Sequence, residues 1–148
     1  MPRFLTDHAL PVTRSLPRSL LLILCICMTL VACKSDGEKA ATAAAQTWLS
    51  LIDSGSYAQS WTVSAPYLQR VAAETNWEAS MNRVRNPLGR VLSRKTRSAK
   101  ATFTDLFNDR CVIVQFDTAF ENKRSAIETV TVMPQKDGQW KIAGYFIK

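Results

Sequence analysis

From Glu38 to Ser54 the apolar side chains Ala41, Ala45, Trp48, Leu49 and Ile52 recur at three- and four-residue steps. That spacing places them on one face of an α-helix, and Gly55 stands where the helix must stop. Ser56 is positioned to cap a short second helix carrying Tyr57 and Trp61, and Pro66 to open a third through Leu68 and Val71. Thr75 and Glu78 have the spacing of a capping box, which predicts a fourth helix with the stripe Trp77, Met81, Val84 and Leu88. Pro87 and Gly89 end it.

Beyond residue 90 the period changes from near four to two. Residues 90–104 predict a strand, and Arg110 to Phe120 a clearer one, with Val112, Val114, Phe116, Thr118 and Phe120 on one face. Ser125 to Met133 is rich in β-branched residues, Lys136-Asp137-Gly138 is a turn signal, and Gln139 to Ile147 is a last strand with Trp140, Ile142 and Phe146 facing one way. Helices first and strands second predict an α+β domain over residues 40–148: N-terminal helices packed on a curved antiparallel sheet of about four strands.

The first 33 residues follow another logic. The apolar run from Leu20 to Cys33 is shorter than a spanning helix, is preceded by Arg14 and Arg18, and ends in Leu30-Val31-Ala32-Cys33. That ending looks like a bacterial lipobox, in which small side chains admit the peptidase and the cysteine thiol accepts the lipid. The expectation is a signal peptide over 1–32, lipidation at Cys33 with diacylglyceryl and acyl groups such as palmitate, and a polar tether to residue 39. The protein would then be a lipoprotein of the bacterial cell envelope, membrane-bound through Cys33. Lys34 in place of a retaining aspartate directs it to an outer membrane, facing the periplasm. Cys25 and Cys27 leave with the leader, so Cys111 is the remaining thiol and no intrachain disulfide forms.

Charge and histidine narrow the chemistry further. Of 19 basic and 12 acidic residues, Arg3, Arg14, Arg18 and Asp7 fall in the leader, which leaves 16 and 11 in the mature chain. His8 is the only histidine and also falls there, so Ser-His and Cys-His relays and the usual zinc sites are excluded from the mature chain. No cofactor motif is present and no metal is expected. Seven basic residues, Arg83, Arg85, Arg90, Arg94, Lys95, Arg97 and Lys100, occur without an intervening acid. Export removes nucleic acid as a partner, leaving anionic envelope lipid or polymer, or another envelope protein. The bland alternative is a solvated face.

The order of helices, curved sheet and a final D-G-x-W-x-x-x-G-Y strand resembles the cystatin-like cone of the nuclear transport factor 2-like superfamily. More narrowly, the mature chain resembles a bacterial lipoprotein family known as domain of unknown function 4019. The matching pieces are Trp48-Leu49 with Ile52-Asp53, Gly55, Tyr57, Ser60-Trp61, Pro87-Leu88-Gly89, Arg94, Phe116-Asp117-Thr118, Phe120, Glu128-Thr129-Val130, Asp137-Gly138, Trp140 and Gly144-Tyr145. The resemblance implies the fold and carries no activity.

Alternation puts Glu128 on the apolar side of its strand with Ala126, Val130 and Val132, where a carboxylate must be paired, neutralised or wet. Arg94, expected to share a face with Leu92, is the candidate partner, because arginine binds a carboxylate in bidentate fashion. Tyr57 or Tyr145 is the candidate donor. Arg90, Lys95 and Arg97 complete the candidate binding residues, and no residue is assigned as catalytic. Asp53, at a helix end, and Asp137, in a turn, have ordinary structural uses. The leading expectation is a non-catalytic envelope protein that binds a partner or ligand. The alternatives are a purely structural lipoprotein, or an enzyme using Glu/Tyr acid–base chemistry in a cone pocket.

Overall fold

Among the described residues the helices come first and the strands after them: α1 (Arg18–Asp53), α2 (Tyr57–Thr62), α3 (Pro66–Val71), α4 (Glu74–Arg85) with a 3₁₀ turn at Asn86–Leu88, then β1 (Val91–Thr104), β2 (Asp109–Phe120), β3 (Ala126–Pro134) and β4 (Trp140–Ile147). This computed structural model describes the backbone of residues 18–105 and 109–148 and the side chains of residues 36–105 and 109–148. The chain divides into two units, Met1–Cys33 and Lys34–Lys148, and the second holds the sheet and the core. The expected signal peptide and the Cys33 lipidation site lie outside the described side chains.

The strands form one sheet in the order β1-β2-β3-β4, every neighbouring pair antiparallel. The sheet is curved and unclosed, and the architecture is α+β with the helices N-terminal to it. Ala41, Ala45, Trp48, Leu49 and Ile52 of α1 are all buried, and they meet Val112, Val114, Phe116, Val130, Val132 and Ile142 in one core. The helical period of the first half and the twofold period of the second thus supply the two halves of one interior. A smaller cluster of Ala65, Cys111, Met133 and Ala143 forms behind the sheet. Cys111 and Met133 sit beside the inward Val112 and Val132, so alternation turns them outward, where the start of α3 covers them. Its Ala65 N–H donates to the Ile142 carbonyl at 2.8 Å. Burial and the nearby Asp109 charge push the Cys111 thiol pKa up, which keeps it protonated.

α1 is fastened along β1 at two points. Glu38 Oε1 accepts from the Ala101 N–H at 3.1 Å, and Asp53 accepts from Arg94. The helix between those points rises about 22 Å and the strand between them about 23 Å, so the two elements match in length.

Four local expectations give way to tertiary structure. No capping box forms: α4 begins at Glu74, one residue before Thr75, and its N-cap is Ala73 without a side-chain bond. The buried stripe of α4 is Trp77, Met81 and Arg85, while Val84 is 43% exposed; the core accepts a guanidinium there because acceptors and an aromatic ring await it. On β4, Phe146 is exposed and Tyr145 turns inward. A register shift pairs Thr131 with Gly144 but Val132 with Ile142, so one extra residue on β4 reverses the alternation. A second shift, between Val91 and Ser93, exposes Leu92, which therefore does not share the inner face with Arg94.

Candidate functional site

Register carries Glu128 into the interior. It pairs with Phe116 on β2 and Ile147 on β4 and is fully buried. Burying a bare carboxylate costs several kcal/mol, so the site must compensate it. Arg94 donates from Nε to Glu128 Oε2 at 2.6 Å and from Nη2 to Oε1 at 3.2 Å. Thr118 Oγ1 donates to Oε2 and the Tyr145 hydroxyl to Oε1, each at 2.5 Å. A carboxylate offers about four acceptor positions, and all are occupied.

The other edge of Arg94 is equally engaged. Nη1 donates to Asp53 Oδ2 at 2.6 Å and Nη2 to Asp53 Oδ1 at 2.9 Å. Asp53 Oδ1 also accepts from Arg85 Nη2 at 3.0 Å, and Arg85 Nη1 donates to the Gly89 carbonyl at 3.1 Å. The Arg85 guanidinium lies over the Phe120 ring, 4.6 Å from its centroid, a cation–π contact. Its Nε is buried with no hydrogen-bond partner among the described residues. Charges thus alternate along a chain, Arg85, Asp53, Arg94, Glu128, that joins the ends of α1 and α4 to β1 and β3.

Aromatic packing closes the far side. Tyr145 meets Trp48 edge-on at 5.4 Å, and Trp48 lies 5.9 Å from Trp77. Both indole N–H groups end on buried serines: Trp48 donates to the Ser60 carbonyl and Ser64 Oγ, Trp77 to Ser60 Oγ. Burial and the Glu128 charge hold the Tyr145 phenol well above its usual pKa, so it remains a donor. Burial pulls the Arg94 pKa down, but the hydrogen bonds and charges of Asp53 and Glu128 outweigh it and leave the guanidinium above its ordinary value.

The candidates from the sequence therefore divide. Arg94, Glu128 and Tyr145 meet in one cluster. Tyr57 does not reach it; its hydroxyl donates to Asn86 Oδ1 at 3.1 Å, and burial raises its pKa. Tyr57 instead lines an adjoining cleft of about 350 Å³ with Asp53, Arg85, Asn86, Arg90 and Glu121. Arg90 sits at the mouth, where its Nε and N–H donate to Glu121 at 2.7 and 2.8 Å, holding that carboxyl below its usual pKa. Gly89 makes this turn possible: its φ is +74°, and a Cβ there would lie 2.8 Å from Glu121 Oε2. Arg97 pairs with Asp117 at 2.9 Å, both half-exposed. Lys95 is exposed and lines a notch of about 230 Å³ with Ser93, Arg124 and Ser125.

Three members of the cluster were not singled out from the sequence as site residues: Asp53, Arg85 and Thr118. Each left a trace. An acid in the last turn of a helix opposes the helix dipole and so needs another partner. Arg85 falls four residues after Met81 on the apolar stripe, and Thr118 interrupts the apolar face of β2.

A cleft of about 640 Å³ lies between α1, α2 and the start of β4, against Trp48, Leu51, Val63 and Trp140. Glu128 lines neither this cleft nor those of about 350 and 230 Å³. Among the described residues, no three His, Cys, Asp or Glu side chains converge as metal ligands. A search of curated proteins finds no match to the chain. Residues 44–145, which contain the whole charged cluster, match a family described as a protein of unknown function, DUF4019. By that match over more than half its length, the chain belongs to the DUF4019 family.

Proposed function

We propose that this protein is a lipid-anchored protein of the bacterial cell envelope that works by binding a partner through its surface, without catalysis in its interior. The observation that supports the absence of catalysis is the saturation of Glu128. A general base needs a lone pair within reach of a substrate proton, and the lone pairs of Glu128 are taken by Arg94, Thr118 and Tyr145. The Arg94–Glu128–Asp53 cluster then serves as a clamp between α1 and the sheet. The anchor is supported by the apolar run ending in Leu30-Val31-Ala32-Cys33. Two or three acyl chains on Cys33 hold a domain firmly where one chain does so marginally. Lys34 favours the outer membrane, with the domain in the periplasm.

Intact mass of the protein extracted from membranes tests the anchor. Loss of residues 1–32 with a gain of acyl mass is the expected result, and a free Cys33 thiol would overturn it. The binding reading is tested by replacing Glu128 and Arg94 together with Leu and Met. Partner capture that survives in a folded double variant supports it, and capture lost with the fold intact overturns it.

A further inference from the structure

Charge is distributed unequally between the two ends of residues 34–148, and chain geometry says which end carries the anchor. Glu38 is bonded to Ala101 on β1, and a Cβ on Gly37 would lie 3.6 Å from the Trp140 ring. Cys33 precedes Gly37 by four residues, a reach of at most about 14 Å. The anchor therefore attaches at the end of the sheet that holds Ala101 and Trp140. Six cations belong to that end, Lys34 beside Cys33 in sequence with Lys39, Lys100, Arg110, Lys136 and Lys141, against the five acids Asp36, Glu38, Asp105, Asp109 and Asp137. That end is close to neutral.

The opposite end, about 23 Å away along β1, is different. Its acids are consumed: Asp53 and Glu128 by Arg85 and Arg94, Glu121 by Arg90, Asp117 by Arg97. Exposed Lys95, Lys123 and Arg124 carry no ion pair among the described residues and supply a surplus of positive charge. Lys95 and Arg124 flank the notch between β1 and the β2–β3 turn, with the Ser93 and Ser125 side chains beside them. Two cations and two hydroxyls around a shallow recess are donors matched to a phosphate or carboxylate group. Asp117 also lines it but is engaged by Arg97.

We propose that this notch binds an anionic polymer of the cell wall, presented to the domain from the side away from its own membrane. The inference rests on the lipid-anchored reading above, because only an anchor at Cys33 makes the basic end the distal one. Headgroups of the anchoring membrane would meet the neutral end, so the notch is not aimed at them.

The test uses the acylated protein extracted from membranes and reconstituted in neutral vesicles, with isolated peptidoglycan as the probe in a salt series. The Lys95→Ala/Arg124→Ala pair should bind about thirtyfold more weakly at low salt, and the difference should shrink as salt rises. The triple change Lys100→Ala/Arg110→Ala/Lys136→Ala at the anchored end should bind as the parent does. Equal losses in both variants, no loss in the first, or stronger binding to added anionic vesicles than to peptidoglycan would overturn the proposal. Intact mass of the same preparation reports Cys33 acylation separately. Acylated protein that fails to bind refutes the notch alone, and an unacylated chain refutes the anchor.

Discussion

Arg94 and Arg97 are three residues apart on β1, and each meets a carboxylate within 3 Å, yet the two pairs do different physical work. Arg94 is 15% exposed and Glu128 not at all, whereas Arg97 and Asp117 are 51% and 55% exposed. Water screens the outer pair and solvates either partner if the other is lost, so its net contribution is small. The inner pair has no such alternative. Once the sheet and α1 have closed over Glu128, Arg94 is the cation that balances its charge; Thr118 and Tyr145 only donate hydrogen bonds, so loss of Arg94 leaves a charge stranded. Residue type and spacing along the strand are nearly the same; burial alone separates a clamp from a decoration.

Arg94→Met should break the comparison most severely, destabilising the protein by about 3–5 kcal/mol in urea unfolding because Glu128 loses its counter-ion. Adding Glu128→Leu should recover much of that loss. A double variant no better than Arg94→Met would mean that the cost lies in packing and not in a stranded charge.

Tyr145→Phe removes a buried hydrogen bond to a charged acceptor and should cost about 1.5–3 kcal/mol near neutral pH. It also carries a pH signature. The native phenol holds its proton well above the ordinary value of 10.0, whereas the unfolded chain releases it near that value. The unfolded state then binds fewer protons, so the contribution is complete below about pH 10 and is lost as pH rises. The Phe variant should show a flatter stability profile above pH 10 than the parent, and an unchanged slope would refute the assignment.

Gly89→Ala separates backbone strain from ion pairing on the exposed side. A φ of +74° with ψ of −160° is a conformation open to glycine almost alone, so the change should cost about 1–3 kcal/mol. Glu121→Gln, which removes the carboxylate that Gly89 faces but leaves the turn, should have a much smaller effect in the same thermal or urea assay. Arg97→Ala lies at the bottom of the order, at about 0.2–1 kcal/mol, shrinking further in high salt. A loss as large as that of Arg94→Met would erase the distinction between the two pairs.

Much of this arrangement was legible in the sequence. Period-four spacing placed Trp48, Leu49 and Ile52 on the buried face of α1, period-two spacing placed Glu128 among valines, and chemistry then nominated Arg94. Those inferences hold because side-chain direction within one helix or strand is a local property of the backbone. What the sequence could not show was decided between elements. Tyr145, and not Tyr57, reaches Glu128 because a single extra residue on β4 reverses which side chains face inward, and that bulge exists only in relation to β3. Asp53 lies 41 residues from Arg94 in sequence, and no periodicity links the end of a helix to a particular residue of a distant strand. The basic strip looked uniform because its acids, Asp53, Asp117, Glu121 and Glu128, all lie outside it. Only folding brought them across, and only folding decided which cations stayed in water.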